Sequence, residues 1–143
     1  MEKEVVFRRL MSYSFEYNRA EGILRCRLSG DVTDDVLKDF FRAGGSCAAR
    51  MQPSAGVVDL SAVTSFDVSC RTIEELARAK PAVDDPQLKR IVIAASPDTF
   101  GMMRMFEIEA EKNRPDIHVV RSEREAWAIL AVQSPNFRPF EQD

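Results

Sequence analysis

The chain has 143 residues, of which 45% are apolar and 30% charged, so it suits one domain with its own hydrophobic core and is neither a disordered nor a membranous composition. Its net charge of −3 is spread over 20 basic and 23 acidic residues with no basic block, which argues against nucleic acid as a partner. No apolar run approaches the roughly 20 residues needed to span a bilayer, and the charged start Met1-Glu2-Lys3-Glu4 does not read as a secretory signal.

In chain order, Ser12 to Asn18 alternates, with Tyr13, Phe15 and Tyr17 on one face and Ser14 and Glu16 on the other: a half-buried strand. The turn Asn18 to Gly22 leads to a second alternating run, Leu24, Cys26 and Leu28, and the pair predicts an antiparallel hairpin. Ser29-Gly30-Asp31 is expected to end that strand. Thr33 then caps a helix whose first turn carries Asp34 and Asp35 and whose apolar positions are Val36, Leu37, Phe40 and Phe41. Gly44-Gly45 is expected to stop this helix, leaving 46–55 as loop with at most a residual turn.

Val57 to Leu60 is a short apolar run, typical of a strand buried on both faces. The stretch Ser61 to Cys70 is expected to be a loop before a helix marked by Ile73, Leu76 and Ala77, which ends near Pro81. Ile91 to Ala95 is another buried strand. Ser96-Pro97-Asp98 starts a helix through Phe100, Met103, Phe106 and Ala110, closed by Pro115. Ile117 to Val120 is the last strand, and Ser122-Glu123-Arg124-Glu125 is a capping box for a helix through Trp127 and Leu130. The expected order is β-β-α-β-α-β-α-β-α: a single α/β domain with its core over 12–132 and an irregular tail over 133–143. A mixed sheet begins with the hairpin and continues with parallel strands joined by right-handed crossovers.

In open α/β sheets ligands gather where strands end and helices begin, which directs attention to 29–33, 61–70, 95–100 and 121–122. The richest of these carries Asp67, Ser69 and Cys70 just before a helix, where backbone N–H groups favour an anion. Ser69 also fits a plain N-cap. Cys70 would need His118 beside it to act as a nucleophile, and the chain order does not promise that. Met102, Met103, Met105 and Phe106 cover more than one helical face. A wide stripe packing between sheet and helix is the simpler reading, and soft apolar surface for a partner or ligand the sharper one. Cys26, Cys47 and Cys70 are odd in number and form no close-spaced ligand pair, so neither a disulfide framework nor a metal site is expected, and a reducing cytoplasm is the expected compartment. No cofactor motif and no catalytic constellation stands out, so an enzyme is not expected.

Asp59-Leu60-Ser61-Ala62-Val63-Thr64-Ser65-Phe66-Asp67-Val68-Ser69-Cys70 resembles the signature of STAS domains, the SpoIIAA-like antagonists of anti-sigma factors, which have a strand ending in Asp-Leu-Ser and then Asp-Ser-Ser-Gly at a helix start. The resemblance runs in order from the hairpin at Tyr13 to the last helix at Leu130. It implies a SpoIIAA-like mixed sheet and a non-enzymatic signalling or protein-interaction module with a regulator or kinase-like partner, or a second copy of the chain. Ser69 matches the phosphorylated serine and Asp67 the acidic residue before it. Val68 and Cys70 depart from the pattern. Asp31 lies in the turn resembling the family's Gly-x-Leu/Val-Thr. With Asp67, Ser69, Cys70, Met102 and Met105 it completes the expected partner- or ligand-binding set. The helix over 100–110 resembles the broader SpoIIAA-like set, which shares a superfamily with lipid-binding CRAL-TRIO domains, and so implies a small apolar ligand or lipid as the alternative.

Overall fold

The computed structural model describes residues 12–113, 116–133 and 135–139; the charged N-terminus and Pro115 lie outside them. Strands β1 (Tyr13–Asn18) and β2 (Ile23–Thr33) form the antiparallel hairpin, with Phe15 opposite Cys26 and Glu16 opposite Arg25. Gly22 makes the turn possible. Its φ is +68°, its N–H donates to the Asn18 carbonyl at 2.9 Å, and a Cβ there would stand 2.9 Å from Ser54 Oγ. Its own carbonyl accepts from Ser54 N–H at 2.7 Å, tying the turn to the start of the next strand.

The remaining elements alternate: α1 (Asp34–Met51), β3 (Ala55–Asp67), α2 (Cys70–Arg78), β4 (Lys89–Ile93), α3 (Pro97–Ala110), β5 (Ile117–Val120), α4 (Glu123–Leu130) and the short β6 (Arg138–Pro139). The sheet order is β5-β4-β3-β2-β1-β6, with β2 to β5 parallel and β1 antiparallel to both its neighbours. The period-two pattern of the strands sorts the apolar residues into two layers. On one face Leu24, Cys26, Leu28 and Val92 meet Leu37, Phe40, Ile73, Met103 and Phe106 from α1, α2 and α3. On the other, Ile23, Val57, Ile91 and Ile93 meet Ala126 of α4, with Trp127 and Phe137 packed at the margin.

Three expectations need correction. Helix α1 does not stop at Gly44-Gly45; it runs six residues further, to Met51, and ends at Gln52, which has φ of +49° and donates its N–H to Ala48 O. Glycine costs a helix about 1 kcal/mol per residue, but the turn beyond it buries Cys47 against the sheet, and Gly44 fits closely over Cys26 and Phe15. Second, Ser61 to Asp67 is strand rather than loop. Strand β2 also outlasts its turn signal: two register shifts, at Arg27/Ser29 and Gly30/Asp31, carry the pairing on to Thr33 and Asp67 and bury Val32. Gly30, at φ +78°, absorbs the second shift.

Third, within the segment expected to be irregular after residue 132, the described residues 136–139 are anchored. Asn136 O accepts from Asn18 Nδ2, Phe137 sits 5.7 Å from Trp127, and Arg138-Pro139 pairs with Tyr17 and Glu16 on the β1 edge.

Candidate functional site

Each helix start is built by a hydroxyl cap: Thr33, Ser69, Ser96 and Ser122 accept from the N–H groups of Val36, Thr72, Thr99 and Glu125. Ser69 does more than cap. Its N–H donates to Asp34 Oδ1 at 2.7 Å and its hydroxyl to Asp34 Oδ2 at 3.1 Å, while the Thr72 N–H donates to Ser69 Oγ at 3.2 Å. One carboxylate therefore joins the first turns of α1 and α2. The backbone hydrogen bond from Ser69, more than any other contact, holds the Asp34 carboxyl below the usual carboxylate range.

Ser69→Ala removes the cap and one of these bonds. The expected cost is about 1 kcal/mol, read by urea unfolding at neutral pH, and the Asp34 carboxyl moves upward in an NMR titration. The sign follows from linkage. A carboxylate depressed in the folded state stabilises above its unfolded pKa and loses that contribution as pH falls through the folded one. The difference between wild type and Ser69→Ala is expected to narrow in acid.

The other residues singled out by the sequence lie nearby without converging. Asp31 is exposed on β2 and accepts from Thr64 Oγ1 at 3.4 Å. Asp67 is exposed at the end of β3, opposite Thr33. Cys70 is exposed at the first position of α2. His118 pairs in register with Ile91, near the beginning of the parallel strands, and contacts Asp116 Oδ1 at 2.7 Å, whereas Cys70 follows the far end of β3. The two do not form a dyad. Met102 and Met105 are half-buried against the main core, beside the fully buried Met103. Met102 and Met105 thus pack on the core while staying partly accessible, and the large apolar residue of α3 that is exposed is Ile108, 65% accessible. Asp59 is buried and accepts from Ser61 N–H at 2.9 Å and Ser61 Oγ at 2.6 Å, so it shapes the strand at the register shift. Among the described residues no cluster of three or more metal-ligating side chains occurs, and no helix is long and apolar enough to cross a membrane.

The larger feature lies at the other end of the sheet. A pocket of about 610 Å³ opens between the early parts of β2, β3 and β4, the later turns of α1, and the segment that leads out of α2. Leu24, Cys26, Val58 and Val92 form its floor, Phe40, Phe41 and Phe106 one wall, and Leu76, Pro81 and Val83 the other. Small residues keep the space open. Gly44, Gly45 and Ala48 present little side chain from α1, and a Cβ built on Gly56 of β3 meets nothing within 4 Å. Burial, and then the neighbouring Cys47, push the Cys26 thiol up to about 12, so it stays protonated and serves as apolar lining.

None of Asp31, Asp67, Ser69, Cys70, Met102 or Met105 lines this pocket. The sequence carried a signal for it: the run Ala43-Gly44-Gly45-Ser46-Cys47-Ala48-Ala49, which reads as a helix stop but acts as a thin helix face over a sheet. No protein-family model matches the chain, and no curated protein matches it in sequence.

Proposed function

We propose that the chain is a non-enzymatic, STAS-like module that works by holding a small apolar ligand between the sheet and α1. The observation that carries this reading is the pocket. Its volume of about 610 Å³ falls within the roughly 300–1,000 Å³ of small-molecule sites, and its lining is dominated by aliphatic, aromatic and small side chains, as such sites are. A closely packed interior has few voids larger than a water molecule, so keeping this space open forgoes contacts that a larger residue at Gly56 would make. Each ligand methylene buried there contributes about 0.8 kcal/mol. Native mass spectrometry of the protein purified from its host is expected to show a retained small molecule, removed by organic extraction. An unliganded mass under gentle ionisation argues against the reading.

A second reading, as a signalling or protein-interaction module switched at Ser69, is favoured by one observation: Ser69 is exposed at the first turn of α2. A phosphate there adds about two negative charges. It would meet a helix N-terminus, which favours it, and the Asp34 carboxylate, which does not. Phosphorylation would therefore part α1 from α2 at their first turns. The regulator or kinase-like partner, or a second copy of the chain, would read that change. The test is a pull-down from the host with Ser69→Ala and Ser69→Asp. Equal capture by both variants and wild type counts against a switch.

A further inference from the structure

Four charged side chains line the pocket, Lys38, Arg42, Lys80 and Arg90, and all four are basic. The chain as a whole has more acidic than basic residues, so a one-signed lining runs against composition. Three of the four have other commitments. Lys38 reaches Glu75 Oε2 at 3.5 Å, Arg42 pairs with Asp39, and Arg90 donates to Val83 O at 2.8 Å and to Leu88 O at 3.5 Å. Asp84, Asp85 and Asp116 lie close enough to Arg90 to favour its charge, but burial outweighs them and draws its pKa below the ordinary value. Lys80, directly after the α2 cap at Ala79, is exposed, and no carboxylate among the described residues forms an ion pair with it within 4.0 Å.

We propose that the pocket selects an amphiphile with an anionic head, of the class of a fatty-acid carboxylate, its chain lying over Gly56 and Val58 and its head meeting Lys80 and Arg90. The proposal rests on the pocket being a ligand site and adds the sign of the ligand's charge. An apolar space with a one-signed polar margin orients a ligand that is itself apolar at one end and charged at the other. An ammonium is a compact point charge that suits a carboxylate head, and the Arg90 guanidinium brings further charge of the same sign. An anionic head gives Lys80 an ionic partner that neither a neutral nor a cationic head supplies.

The test uses the full chain and three probes of one chain length, dodecanoate, dodecanol and dodecylammonium, each below its aggregation threshold, with binding followed by calorimetry. Dodecanoate is expected to bind with a stoichiometry of one, and about tenfold or more tightly than dodecanol, as a charge-assisted contact implies. Dodecylammonium is expected to bind more weakly than dodecanol. Lys80→Glu, at an exposed site, is expected to weaken dodecanoate and leave dodecanol unchanged. Gly56→Leu, which fills the chain site, is expected to abolish all binding while the circular dichroism spectrum stays that of wild type. Equal affinity for dodecanoate and dodecanol, or no effect of Lys80→Glu, would overturn the head-group assignment and leave the pocket standing. Failure of all three probes, or binding that survives Gly56→Leu in a folded protein, would overturn both.

Discussion

Phe40→Ala is expected to lower stability by about 4 kcal/mol, within the range for truncating a buried phenylalanine. Phe40 is 1% exposed and is the centre of an aromatic group: its ring stacks on Phe15 at 6.3 Å and lies 5.8 Å from Tyr13 and 6.1 Å from Phe41. Removing it strips contacts from β1 and α1 together and joins the new space to the neighbouring pocket, so the surroundings have little to collapse onto. Denaturant unfolding with an unchanged slope checks this. Phe40→Leu, which keeps most of the volume, is expected to cost much less. A loss under about 1 kcal/mol for the alanine variant would mean that the helix closes down on the sheet and that the open pocket is not a fixed feature.

Arg25→Ala is expected to cost about 2–3 kcal/mol, as the loss of a largely buried charged partner does. The Arg25 side chain, on β2, is 11% exposed and joins β1, α4 and the segment before β6. It makes two bonds to Glu16 on β1, at 3.1 and 3.2 Å, and one to Glu123 at the start of α4 at 3.0 Å. Its guanidinium lies 4.0 Å over the Phe137 ring. The planar fork serves the Glu16 carboxylate and the aromatic face at the same time, which an ammonium cannot do. Arg25→Lys should therefore recover less than half of the loss. A double-mutant cycle with Glu16→Gln isolates the pair, and a coupling indistinguishable from zero would show that Arg25 acts through its packing on Phe137 alone.

Much of the fold was legible because the signals were local. The alternation of Tyr13, Phe15 and Tyr17 gave a strand, the caps Thr33, Ser69, Ser96 and Ser122 each start a helix, and the β-α alternation after residue 33 gave parallel pairing. The errors came where distant contacts overrode local preference. Gly44-Gly45 reads as a stop, and only the sheet beneath Cys47 explains why the helix continues. Ser61 to Asp67 is polar enough to read as a loop, and its strand character depends on pairing with a β2 that bulges twice. The tail lacks apolar periodicity, and two of its anchors, Asn18 and Arg25, lie far away in sequence.

The site was less legible than the fold. Sequence spacing placed Ser69 at a helix start, but its tie to Asp34 spans 35 residues. A cavity has no sequence of its own. It is defined by what the residues around it lack, and glycines that read as punctuation were the nearest thing to a signal.

The strand order β5-β4-β3-β2-β1-β6 has a consequence for synthesis. From β1 to β5 each new strand is laid beside the one before it, so the sheet can grow outward as the chain leaves the ribosome, without waiting for a segment still to come. The final segment is the exception. After β5 completes one margin, α4 carries the chain back across the second face to Ile23 and Ala55, and Arg138-Pro139 closes on β1, the first of the described strands. Among the described strands, the outer edge of β1 thus stays open until the segment after α4 reaches it.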